Sequence, residues 1–234
     1  MPQWLQIPLV LLYAYLIGSV SISYILGRLV KRIDLRQYGS GNLGGSNVWV
    51  HVGKPYIIPV GLFDLFIKAG SPVWIAGYVL GLSLWVQVAA GLMAVVGHNW
   101  SAFLRLRGGR GVAPAIGILA VLAQVELALF ATVAVVGWRL SRSSALWVGI
   151  SLLLLPVWTG LLMWSGLQSR PFPLLVLMLG LVAVTALKRL LSNPGTSAPT
   201  VPLRQLLLNR LLYDRDVPQR EKWLYRKPDD SGAP

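Results

Sequence analysis

Apolar residues run along this chain in long blocks rather than in the short alternations of a water-facing strand or helix. The first block extends from Leu5 to Leu26, and others cover residues 52–70, 73–96, 111–140, 144–165 and 171–190. A bilayer core about 30 Å thick takes roughly 20 apolar residues per helix, so the blocks have the length of membrane spans. Backbone groups in hydrocarbon must bond within their own segment, which predicts helices throughout. The block 52–70 is interrupted by Pro55, Pro59, Asp64 and Lys68, and is expected to pack inside the protein. The block 111–140 would make a helix about 45 Å long, too long for one upright crossing. Gln124 and Glu126 near its middle predict a split into two helices.

Charge settles the sidedness. Lys and Arg favour the cytoplasmic side of short loops. Here they cluster at Arg28/Lys31/Arg32/Arg36, Arg105/Arg107/Arg110, Arg139/Arg142 and Lys188/Arg189. Placing every cluster inside requires two crossings between successive clusters, hence about seven transmembrane helices with the N-terminus outside and only Arg170 on the wrong side. A secretory leader opens with positive charge. Arg28 is the first charged residue here, so the first block is expected to be a retained span. The expected fold is an all-α polytopic protein of the cell membrane over residues 1–191. Residues 192–234 would form a cytoplasmic basic tail, partly disordered or with a surface helix at 203–213.

Composition narrows the chemistry. Hydrophobic residues make up 55% of the 234 positions and charged ones 12%, against roughly 25% charged in soluble domains. A water-soluble globule and a disordered chain are both excluded. The net charge is +13, carried mostly by the membrane body, where residues 1–190 hold fourteen Lys/Arg against three acids. Such a body suits anionic lipid and an anionic substrate; with no basic soluble domain, nucleic acid is not expected as a partner. There is no cysteine and there are two histidines, His51 and His98. Disulfides, thiolate nucleophiles and polyhistidine metal centres drop out, and no metal or cofactor is expected.

Two polar islands interrupt the apolar pattern. Residues 39–47 read GSGNLGGSN. The GxGxxG within them would need a preceding strand to be a dinucleotide fingerprint, and a membrane helix precedes it. What remains is a glycine-rich loop whose backbone N–H groups can turn toward an anion, with Ser40, Asn42, Ser46 and Asn47 as side-chain donors. A flexible turn is the alternative for any such nonapeptide. The second island, GHNWSAFLRLRGGRGV at 97–112, leads through Gly108-Gly109-Arg110 into the next helix. A guanidinium forks onto phosphate oxygens, which makes Arg110 a candidate ligand. Arg105 reads as topogenic charge alone, and a lone His98 is more commonly structural than catalytic. Both islands fall on one predicted membrane face, as expected for a protein handling a phosphate-bearing molecule there.

At these residues the chain resembles the bacterial acyl-phosphate-dependent glycerol-3-phosphate acyltransferases. GSGNLGGSN (39–47) and GHNWSAFLRLRGGRGVA (97–113) are similar to that family's first two signature motifs, and Asp64 stands where the family has an aspartate. The likeness covers roughly residues 8–191. It implies seven helices with the N-terminus outside and no metal or covalent acyl-enzyme. It also implies acyl transfer from acyl phosphate to glycerol 3-phosphate, giving lysophosphatidic acid and phosphate, the first step of phospholipid synthesis. Ser40, His98 and Arg110 would be the catalytic residues. Gly41, Asn42, Gly44, Ser46, Asn47, Arg107, Gly108, Gly109 and Arg189 would bind substrate phosphate. The enzyme that makes acyl phosphate would be a partner.

The chain departs from the family pattern at several places. Arg110 stands for a lysine, Ser46 for a threonine and Pro114 for a threonine. The Asp-x-x-Lys spacing is one residue longer in Asp64…Lys68, which allows an ion pair four residues apart. The third motif, His-x-x-Asn-Ile-x-Arg-Leu, has alanine at its His and Asn positions, Ala183 and Ala186, and an arginine expected after Asn47 is Val50. The donor side therefore reads as intact and the acceptor side as rewritten. A paralogue with another acceptor or no activity is the second reading, and an anion transporter the third. Acyl-CoA enzymes with a His-x4-Asp motif are excluded, because neither histidine has an aspartate five residues on.

Overall fold

The computed structural model describes residues 1–167, 171–192, 201–217 and 220–228; Arg170 and the linker 193–200 lie outside them. The described residues are helical with no strand. Helix α1 (Gln3–Ser19) runs into α2 (Ile22–Lys31) through an extended break at Val20 and Ser21, where the Ser21 hydroxyl caps α2 by accepting from the Tyr24 N–H. The first island follows and opens α3 (Gly45–His51). Next come α4 (Lys54–Val79), α5 (Leu84–Asn99), the second island, α6 (Val112–Leu122), α7 (Gln124–Ser141), α8 (Ser144–Trp164) and α9 (Pro171–Leu190). The tail carries α10 (Leu203–Tyr213) and α11 (Arg220–Leu224).

Five of these stretches are long and apolar enough to cross a bilayer: Gln3–Lys31, α4, α7, α8 and α9; α6 is a shorter apolar helix. The expected split of 111–140 is present at Ala123, between α6 and α7. The expected boundary between 70 and 73 is not. Gly70-Ser71-Pro72 reads as a stop, yet α4 passes through it by widening into π turns, with the Ser71 N–H reaching back five residues to the Phe66 carbonyl. The wider turn accommodates a proline that lacks an N–H and crowds the preceding turn. The true stop comes at Gly81, whose positive φ of 61° lets the Leu82 N–H close onto the Ala76 carbonyl.

Small residues set the helix spacing. Helix α1 lies along α5 over a seam of Ala14, Ala90 and Ala94. A Cβ on Gly18 would strike the Ala94 carbonyl, and one on Gly97 the Tyr15 carbonyl. Gly117 of α6 meets the Leu65 backbone of α4 in the same way. Helices in lipid associate through such close approach, since apolar burial between them gains little over lipid contact. The main core, including Val88, Ile118, Leu155, Leu177, Met178 and Leu181, fills the space among α4 to α9. Trp4, Tyr78, Trp85, Trp164 and Phe172 stand exposed at helix ends opposite the two islands, the arrangement of an aromatic belt.

Candidate active site

The end of α1 holds the second island in place. The Ser101 hydroxyl donates to the Ser19 carbonyl at 2.6 Å, the Ala102 N–H donates to the Ser19 hydroxyl, and the Tyr15 hydroxyl donates to the Trp100 carbonyl. The first island is tied down at Asp34, which accepts from Arg28 and Arg36 and caps the turn at Leu35–Gln37. Burial pushes the Asp34 carboxyl up, but the hydrogen bonds and charge of Arg36, with Arg28 behind it, outweigh that and hold it below its ordinary value. The islands then join. Arg36 donates to the Leu104 carbonyl, and the Leu43 N–H donates to the Gly108 carbonyl at 3.4 Å.

Between them lies a cavity of about 560 Å³. Eight of the residues expected from the sequence line it: Ser40, Asn42, Gly44, Ser46, Asn47, His98, Arg110 and Arg189. Four do not. Gly41, with φ of 65°, forms the turn of the first loop and bonds the Tyr38 carbonyl. Gly108 and Gly109 allow backbone packing: a Cβ on either would collide with His98. Arg107 is exposed to the surroundings. Asn47 does more than line the wall. Its Nδ2 lies 3.0–3.1 Å from the carbonyls of Leu35, Tyr38 and Asn42, so it gathers the loop around one donor.

A buried trio of polar side chains borders the cavity: Asp64 and His98 line it, and Lys68 lies behind them. Lys68 is 2% exposed and Asp64 4%, with Nζ 2.7 Å from Asp64 Oδ1, which realises the spacing read from the sequence. The same Nζ is 3.1 Å from His98 Nδ1. An ammonium only donates, so Nδ1 accepts, and a neutral His98 ring carries its proton on Nε2.

Arg110 is held from three sides. Its Nη1 donates to the Lys188 carbonyl at 3.0 Å, its Nη2 to the Ser192 hydroxyl at 3.2 Å, and its Nε lies 2.8 Å from Asp214. Arg189 spans elements too, donating to the carbonyls of Leu211 and Ala145. The tail is thus part of the site, and Tyr213, Asp214, Arg215, Trp223 and Leu224 line the same cavity. Sequence reasoning allowed Lys188, Arg189 or tail residues to replace the lost ligands but named none of these five. Arg142 completes the wall. The positions read as lost acceptor ligands lie elsewhere: Ala183 is exposed, Val50 is off the cavity, and Ala186 lines a separate apolar crevice of about 100 Å³.

Apolar helices around a cationic, glycine-lined cavity at one membrane face define a multi-pass membrane protein. A family model described as glycerol-3-phosphate acyltransferase matches residues 8–193, and the chain belongs to that family. Glycerol-3-phosphate acyltransferase 4 of Dehalococcoides mccartyi (strain CBDB1) is 35% identical over 214 residues, covering 91% of this chain and 90% of that protein. A match of that share takes in most of α10. The Synechococcus sp. (strain JA-3-3Ab) glycerol-3-phosphate acyltransferase is 40% identical over 190 residues, 81% of this chain and 90% of that one. Among solved structures, the chain is similar to the integral membrane acyltransferase PlsY in its glycerol 3-phosphate form, with a TM-score of 0.69, 27% identity, and coverage of 79% of this chain and 88% of that one. The lysophosphatidic acid form gives 0.68 at 26% identity.

Proposed function

We propose that this protein transfers an acyl group from acyl phosphate to the 1-hydroxyl of glycerol 3-phosphate, releasing lysophosphatidic acid and phosphate at the cytoplasmic membrane face. The carrying observation is that both glycine-rich islands meet at one cavity that also presents His98 and Arg110. Seven crossings with the N-terminus outside put every Lys/Arg cluster named above on the cavity's side. The solved relative's glycerol 3-phosphate and lysophosphatidic acid forms support the acceptor and the product. The donor rests on the motif resemblance, and an enzyme making acyl phosphate would supply it.

In this reading the acceptor hydroxyl oxygen attacks the acyl carbonyl carbon. The new ester C–O bond forms as the carbon–phosphate-oxygen bond breaks, and the electron pair leaves on phosphate. Acyl phosphate is already activated, so the protein orients reactants and stabilises developing negative charge. With Nδ1 facing the Lys68 ammonium, a neutral His98 carries its proton on Nε2, and in this reading it serves as a donor to oxygen and not as the base. The hydroxyl proton passes to the departing phosphate. Ser40, Asn42 and Ser46 cradle the donor phosphate, with Arg110 supplying charge.

Purified protein given acyl phosphate and glycerol 3-phosphate should form lysophosphatidic acid. Arg110→Ala and His98→Ala should each lower turnover by roughly a hundredfold, the usual cost of one charge-stabilising donor. Acyl phosphate hydrolysis without transfer would favour a different acceptor, the reading to which Ala183 and Ala186 point. No consumption of acyl phosphate would overturn both.

A further inference from the structure

The tail closes the cavity as a fixed wall. Arg189 bonds the Leu211 carbonyl, Arg210 bonds the Leu190 carbonyl at 2.9 Å and pairs with Asp216 at 2.7 Å, and Asp214 meets Arg110. Farther along, His51 donates to the Leu224 carbonyl and the Gly39 N–H to the Arg226 carbonyl. Residues 211–217 and 220–226 are therefore fastened to α9, to both islands and to α3. Within this span Arg215 lines the cavity, its guanidinium 4.9 Å from the Tyr213 ring centre. Its Nε is buried and has no hydrogen-bond acceptor among the described residues. A buried donor without an acceptor is costly, and a planar cationic fork with an open edge complements phosphate oxygens.

Arg189 and Arg110 are differently placed. Both Nη atoms of Arg189 face backbone carbonyls, and Arg110 is directed to Lys188, Ser192 and Asp214. Ala183 and Ala186, which stand where the resemblance puts a histidine and an asparagine, do not line the cavity. We propose that Arg215, from the C-terminal tail, is the phosphate ligand for the acceptor substrate, and that Asp214 positions it by pinning the tail to Arg110. The inference rests on the acyltransferase reading above and names a binding residue outside the matched segment 8–193.

The test uses the full chain in lipid nanodiscs, with wild type, Arg215→Ala and Arg215→Lys. Arg215→Ala should raise the KM for glycerol 3-phosphate by about tenfold or more, the effect of losing one charge-assisted phosphate contact, and leave the KM for acyl phosphate within about twofold. Arg215→Lys, which keeps the charge and loses the fork, should fall between. Glycerol 3-phosphate alone should raise the thermal midpoint of wild type and not that of Arg215→Ala, a readout independent of turnover. Equal KM values for glycerol 3-phosphate across the three proteins, or parallel changes for both substrates, would overturn the assignment. If Arg215→Ala does not fold, Arg215→Lys carries the same comparison. Wild type that makes no lysophosphatidic acid would remove the acyltransferase reading, and the thermal arm would still decide whether Arg215 holds the phosphate.

Discussion

Removing the Lys68 ammonium probes the ion pair behind the cavity wall most directly. Lys68→Met keeps the length of the side chain and leaves the Asp64 carboxylate, 4% exposed, without its partner at 2.7 Å. Breaking a buried ion pair from one side costs roughly 3–5 kcal/mol, because the surviving charge stays desolvated. For a chain of this size about 1 kcal/mol moves the melting midpoint by roughly 2–4 °C, so a drop on the order of 6–20 °C is expected. Replacing both partners, Asp64→Asn with Lys68→Met, removes the stranded charge and should recover most of that loss. The ten tryptophans make intrinsic fluorescence in detergent a convenient readout. A single variant within about 1 kcal/mol of wild type, below any buried-pair cost, would refute the reasoning. So would a double variant as unstable as the single.

Two further outcomes follow from the loops and the tail. Asn47→Asp turns a donor that gathers three carbonyls into an acceptor facing them. It should cost about 1–3 kcal/mol and lower acyl transfer at least about tenfold, checked by melting and by product formation; an unchanged rate would remove Asn47 as the loop's organiser. Burial lowers the His51 pKa below 6.5, Lys227 adds to this, and the Leu224 carbonyl opposes it. The folded protein therefore binds fewer protons at His51 than the unfolded chain does. Stability at this contact should be full above pH about 6.5 and weaken as pH falls from there through the folded value. Proteolysis of residues 220–228, normalised to an unfolded control, should rise between pH 7.5 and 5.5, and His51→Phe should flatten that slope. Equal slopes in the two proteins would exclude His51 as the titrating contact.

Much of the architecture was legible because partition into lipid depends on local, nearly additive hydropathy. The blocks, the split at Ala123 and the Asp64–Lys68 spacing could be read that way. The α4 boundary could not: whether Pro72 ends a helix depends on π turns that neighbouring helices stabilise. The glycines of the second island were read as a phosphate cradle, but two of them serve close packing against His98. Arg189 was read as a phosphate ligand, and it lines the cavity with both Nη atoms on distant carbonyls.

The amino-acid order by itself determined a helical membrane protein with two polar islands on one side, since those properties reside in short windows of chain. Only the tertiary structure decided what completes the cavity. Asp214 meets Arg110, and Leu224 meets His51, across more than a hundred residues of sequence. Such contacts depend on which backbone and side-chain groups the packed helices bring within bonding distance. No local window of a tail with mixed charge carries that information.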